Sequence, residues 1–83
     1  MKVLFFAWLR EKAGVSSETV DPPPAVSDVA GLVAWLKERG PGYVDAFADM
    51  SLVRVAVNQQ HVGQDHPVAS GDEIAFFPPV TGG

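Results

Sequence analysis

Gly71-Asp72-Glu73-Ile74-Ala75-Phe76-Phe77-Pro78-Pro79-Val80-Thr81-Gly82-Gly83 holds a turn, a strand and an arm in one short stretch. Gly71-Asp72 is a turn signal, because glycine and aspartate tolerate the backbone conformations that a tight reversal requires. Glu73 to Phe77 then alternates as a strand, with Ile74 and Phe76 on one face and Ala75 and Phe77 on the other. Pro78 and Pro79 each fix φ and remove a backbone donor, so the chain leaves its sheet there. If extended, the segment from Pro78 to Gly83 reaches roughly 20 Å. Gly82 and Gly83 carry no side chains, so the last carbonyl can enter a channel too narrow for any other residue type. Alone, a Gly-Gly end reads as a frayed tail or a cloning remnant. The two aromatics and two consecutive prolines directly before it give this one the character of a functional group on an arm.

The rest of the chain supplies the body that carries the arm. Its 83 residues make one domain, expected over residues 1–77 with a tail over 78–83. Hydrophobic residues at 47% with 19% charged exclude a disordered chain. There is no cysteine, which removes disulfides, thiolate zinc sites and persulfide chemistry on this chain. The net charge of −4 argues against nucleic acid and suits a partner with a basic docking surface. No apolar run approaches a membrane span, and Met1-Lys2-Val3 opens into a strand pattern rather than a signal peptide, so a cytoplasmic location is expected.

Lys2 to Leu9 is a continuous apolar run of strand length, and Arg10 to Gly14 reads as a polar turn. Ser16 to Val20 follows as a second strand, completing a hairpin. After Pro22-Pro23-Pro24, Ser27 is the expected N-cap of a helix whose Val29, Leu32, Val33 and Leu36 share one face, with Gly40-Pro41 as its stop. Tyr43 to Met50 suggests a further helical turn. Leu52 to Asn58 alternates as a third strand, and Gln59 to Ala69 is expected as a long connection with a short strand near Val68. A hairpin, one helix across it and further strands on the same sheet describe an α+β fold, the β-grasp, with a mixed sheet of about four to five strands, one main helix and a flexible tail.

In such a domain only one face of the sheet lies under the helix. Val3, Phe5, Val53, Val55, Val57, Ile74 and Phe76 are expected to meet the helix stripe in the core. Leu4, Phe6, Ala75 and Phe77 then form an exposed apolar patch at the root of the tail, of the kind that marks protein–protein surfaces. No nucleotide loop or nucleophile–base pair is present. His61, Asp65 and His66 are spaced as plain loop residues rather than as a metal site. The chain does not read as a catalyst standing alone.

These residues carry a resemblance. Val3 to Ala7, Arg10-Glu11, Gly14, Ala56-Val57-Asn58-Gln59 and above all the run from Gly71 to Gly83 resemble the sulfur-carrying small subunits of molybdopterin synthase, within the ubiquitin-like β-grasp sulfur carriers. The chain departs from that pattern at Pro22-Pro23-Pro24 and at His61, where relatives often carry an apolar residue. The resemblance implies that an adenylating enzyme activates Gly83 with ATP and that a sulfur donor converts it to a thiocarboxylate. It implies that Gly82 is the steric permit for entry into the large synthase subunit, with which the chain forms a heterotetramer. Phe6, Phe77, Pro78, Pro79, Val80 and Thr81 are the implied partner contacts, and no cofactor or metal is bound by this chain itself. Three alternatives stay open: a carrier for another pathway such as thiamine synthesis, a ubiquitin-like modifier conjugated through Gly83, and a plain interaction module whose tail only docks.

Overall fold

The computed structural model describes residues 1–79; Val80, Thr81, Gly82 and Gly83, and with them the expected flexible tail end, lie outside the described residues. The first strand, β1 (Lys2–Phe5), is shorter than the apolar run that announces it. Ala7 takes a positive φ of 55° and turns the chain into a helix, α1 (Trp8–Ala13). The expected strand to Leu9 and polar turn at Arg10 to Gly14 are therefore corrected. An apolar run cannot by itself separate strand from buried helix. Here Leu9 and Ala13 lie one helical turn apart, with Leu9 in the core and Ala13 packed against it. Gly14 ends α1 at φ 83°, donating its N–H to the Arg10 carbonyl, a left-handed cap that glycine adopts without steric cost. The second strand, β2 (Ser17–Thr19), pairs antiparallel with β1 as expected, though a helix rather than a tight turn joins them.

The main helix, α2 (Val29–Lys37), buries Val29, Leu32, Val33 and Leu36, the predicted stripe. Its N-cap is Asp28, not Ser27: the Asp28 carboxylate accepts from the Gly31 N–H at 2.7 Å. The Ser27 carbonyl instead accepts from the Val68 N–H. The Val29 and Ala30 N–H groups donate to the carbonyls of His66 and Gln64, so the loop before the last strand satisfies donors that a helix start leaves open. Gly40-Pro41 does more than stop α2. It opens a third helix, α3 (Pro41–Ala46), with proline in the first turn where its missing N–H costs nothing. Gly42 allows α3 to lie on the end of α1, since a Cβ there would stand 2.7 Å from the Lys12 carbonyl oxygen. A 3-10 turn, Met50–Leu52, leads into the next strand.

That strand, β3 (Arg54–Val57), turns tightly into β4 (Gln60–Val62) through Asn58 and Gln59, both at positive φ. The reading from sequence missed this hairpin and placed its short strand near Val68, because an Asn-Gln pair lacks the glycine that usually marks such a turn. Val68 is a core residue beside an isolated bridge between Asp28 and Pro67. The last strand, β5 (Glu73–Phe77), follows Gly71 at φ 91°. The sheet order is β2-β1-β5-β3-β4, with β5 parallel to β1 and antiparallel to β3. This is the expected mixed β-grasp sheet, with the C-terminal strand at its centre.

Every residue predicted for the core is buried. Phe5 and Phe76 stack at 5.9 Å between ring centroids, and Phe47 meets Phe76 edge-on at 4.9 Å. Tyr43 completes the cluster against Phe5, and its hydroxyl donates to the Glu18 carboxylate, tying α3 to β2. Burial, reinforced by that carboxylate, pushes the Tyr43 hydroxyl up to about 12. Arg39 closes the same corner, paired with Glu18 at 3.1 Å and lying over the Trp35 ring.

Candidate functional site

The alternation of β5 sorts its side chains between two environments. Ile74 and Phe76 are fully buried beneath the helices, while Glu73, Ala75 and Phe77 face outward and are only partly covered. Register then assembles the outer face: Leu4 of β1 pairs with Ala75, Ala75 with Ala56 of β3, and Ala56 with His61 of β4. Two alanines in the middle of that row leave a low floor. Leu4 and Phe77 rise around it, and the His61 ring lies 5.1 Å from that of Phe77. Phe6 follows β1 at the next outward position; its N–H reaches the Phe76 carbonyl at 3.1 Å and its side chain is 48% exposed. Pro78 and Pro79 continue from Phe77, half-buried.

Phe6, Phe77, Pro78 and Pro79 are thus brought together at one end of the central strand, while Val80, Thr81, Gly82 and Gly83 lie outside the described residues. Two members of this neighbourhood were not anticipated. Leu52, 49% exposed, sits just ahead of β3, whose Arg54 pairs with Phe77, so it lies at the same end of the sheet. The available signal was an apolar residue directly ahead of that strand, which the reading from sequence took as its first member and the structure places in the 3-10 turn. His61 is the other. It is a strand residue against Phe77 rather than a residue of a long loop, and the hidden Asn58-Gln59 turn concealed that. Ala56, on the outward row of β3, is buried there at 6% exposure between its neighbours. Among the described residues, no group of three His, Asp or Glu side chains is placed to hold a metal ion, and no helix is long and apolar enough to cross a membrane.

The root of β5 is locked at its other end. Asp72 accepts from the Asn58 side-chain amide at 3.0 Å and from the Ala69 N–H at 2.9 Å. Asn58 in turn accepts from the Glu73 N–H and donates its own N–H to the Glu73 carbonyl. The hydrogen bond from Asn58, then that from Ala69, holds the Asp72 carboxyl below its ordinary range. A carboxyl depressed on folding contributes stability above its unfolded pKa of about 3.9 and loses it as pH falls through the folded value. Asp72→Ala is accordingly expected to cost no more than about 1 kcal/mol at neutral pH, this being an exposed cluster. The difference from the parent protein should shrink at about pH 3. Urea unfolding of both proteins at the two pH values checks this; an equal gap at both would show that the ionised carboxylate is not what matters.

The sequence profile of the ThiS family matches residues 3–83. The chain belongs to the ThiS family. Within it, the chain is 44% identical to the molybdopterin synthase sulfur carrier subunit of Escherichia coli, over 100% of this chain and 99% of that protein. Among solved structures it is similar to small archaeal modifier protein 1 of Haloferax volcanii, with a TM-score of 0.78, 27% identity and coverage of 96% and 97% of the two chains. It is also similar to a chain in the complex of subunits 1 and 2 of molybdopterin-converting factor from Helicobacter pylori. There the TM-score is 0.65 at 25% identity, covering 99% of this chain and 96% of that one.

Proposed function

We propose that this ThiS-family chain is the sulfur carrier subunit of a molybdopterin synthase. The observation that carries the reading is likeness to such subunits along the whole chain, in a fold whose central last strand ends at Phe77-Pro78-Pro79 beside a partly exposed apolar face. The chemistry requires activation, because a carboxylate with an ordinary pKa of about 3.5 is an anion at neutral pH and a poor electrophile. The Gly83 carboxylate attacks the α-phosphate of ATP on an adenylating enzyme, pyrophosphate leaves, and an acyl-adenylate forms. Sulfur at the sulfide level from a donor then attacks the acyl carbon and displaces AMP, leaving a thiocarboxylate. Gly82 lets this group pass into the large subunit, and Pro78 to Thr81 set the distance at which the sulfur meets the pterin precursor.

The outer face of the sheet docks the large subunit through Phe6, Phe77 and Pro78-Pro79, with Val80 and Thr81 following into the partner. The complex of subunits 1 and 2 from Helicobacter pylori supports a large-subunit partner, and the assembly is read as a heterotetramer. In this reading the chain binds no cofactor of its own, and ATP and the sulfur donor are used by the activating partners in the cytoplasm. The curated relatives favour this pathway over a thiamine-type carrier. A second reading, a modifier conjugated to lysines through Gly83, draws on the likeness to small archaeal modifier protein 1.

The test is an intact mass spectrum after incubation with ATP, the adenylating enzyme and a sulfur donor. Replacement of one oxygen by sulfur at Gly83 is the expected result. An unchanged mass, with a demonstrably active enzyme, overturns the carrier reading, and ladders of conjugates on a gel would move the weight to the modifier.

A further inference from the structure

One imidazole stands at the edge of the outer face that docking covers, beside Phe77. His61 is exposed on the edge strand β4, its ring 5.1 Å from Phe77, at the end of the row that runs from Leu4 through Ala75 and Ala56. A partner that covers Phe77 therefore covers His61 as well. Burying a charged imidazole without a counter-charge is costly, whereas a neutral ring packed on an aromatic is buried readily.

The charges that face His61 do not compensate it. On β3 the nearest charged residue of the outer face is Arg54, one diagonal step away, whose guanidinium is held by the carbonyls of Ser51 and Val53 and carries the same sign as an imidazolium. On β5 the outer face offers Glu73, a full strand further off and toward the end opposite Phe77; on β1 it offers Lys2, beyond that. Asp65 and His66 follow β4 in the loop whose Gln64 and His66 carbonyls cap α2, on the helix side of the sheet. Among the described residues His61 has no ion-pair partner.

We propose that His61 is a partner-selecting residue of the docking face and enters the complex as the uncharged imidazole. This rests on the sulfur-carrier reading, with the large synthase subunit as the occupant. Such a face selects an apolar counterpart at that point, and complex formation must expel a proton wherever the free protein carries one on His61.

The experiment is titration of the intact chain with the large molybdopterin synthase subunit between about pH 5.5 and about pH 7.5, the range in which imidazoles change charge. Exclusion of a charged form weakens binding by up to tenfold per pH unit below the point where it charges. The dissociation constant is expected to rise about five- to tenfold on acidification. In His61→Leu, an exposed edge position where the fold is not at stake, and in His61→Gln, most of that rise is expected to vanish. The same rise in both variants, or tighter binding on acidification, overturns the proposal. A complex whose affinity is flat with pH overturns it while leaving the carrier reading standing. No complex at any pH overturns both.

Discussion

Gly82→Val is expected to reduce sulfur delivery by more than a hundredfold while leaving the melting temperature unchanged. The two halves of that result have separate causes. Every residue of the core lies between Val3 and Phe76, and Pro78 and Pro79 have already taken the chain out of the sheet, so a side chain at position 82 replaces no native contact among the described residues. In the proposed reaction, by contrast, the terminal carbonyl must reach an activating enzyme and then the large subunit through a passage that admits only main chain. Valine adds two methyl groups on a branched Cβ, which also restricts the backbone next to the reacting carbon. Displacement of a reacting group by about 1 Å already costs on the order of a hundredfold. Two measurements locate the failure: intact mass for thiocarboxylate formation, and product formation with the large subunit using protein already charged with sulfur. Normal product formation by the variant would remove Gly82 from its assigned role.

What sequence alone revealed depended on how many independent signals each element carried. β5 was legible residue by residue because turn, alternation and prolines agree within one stretch. The α2 stripe was legible because four apolar residues fall on one helical face, yet its cap was misplaced by one residue since serine and aspartate are both good caps. α1 was not legible. Its six residues follow β1 without a polar break, and only the positive φ of Ala7, which no composition rule announces, separates them. The β3–β4 hairpin was lost for a similar reason, and that loss displaced His61 from the strand that sets it against Phe77. The outward apolar row survived these errors, because the alternation of two strands fixes it whatever lies in the connections. Of the patch expected to be exposed, only Phe6 is so, with Leu4, Ala75 and Phe77 half-buried.

That alternation yields the other large expected effect. Phe76→Ala is expected to cost about 3–5 kcal/mol, the range for truncating a buried phenylalanine. Phe76 is fully buried on the central strand and touches the rings of Phe5 and Phe47, so its loss opens a hole that neither neighbour can fill without leaving the other. Domains of this size are stable by only about 4–12 kcal/mol, so the variant should melt about 15 °C lower or more and populate unfolded chain at physiological temperature. Phe77→Asp, one residue on, should behave oppositely. Its side chain lies on the open face beside His61, where a strand substitution costs about 1 kcal/mol or less, but it places a carboxylate in the centre of the surface proposed to dock the large subunit. Thermal melts of the two variants, set beside their affinity for that subunit, decide the matter. Should Phe77→Asp melt like Phe76→Ala and bind like the parent, the docking surface lies elsewhere on the molecule.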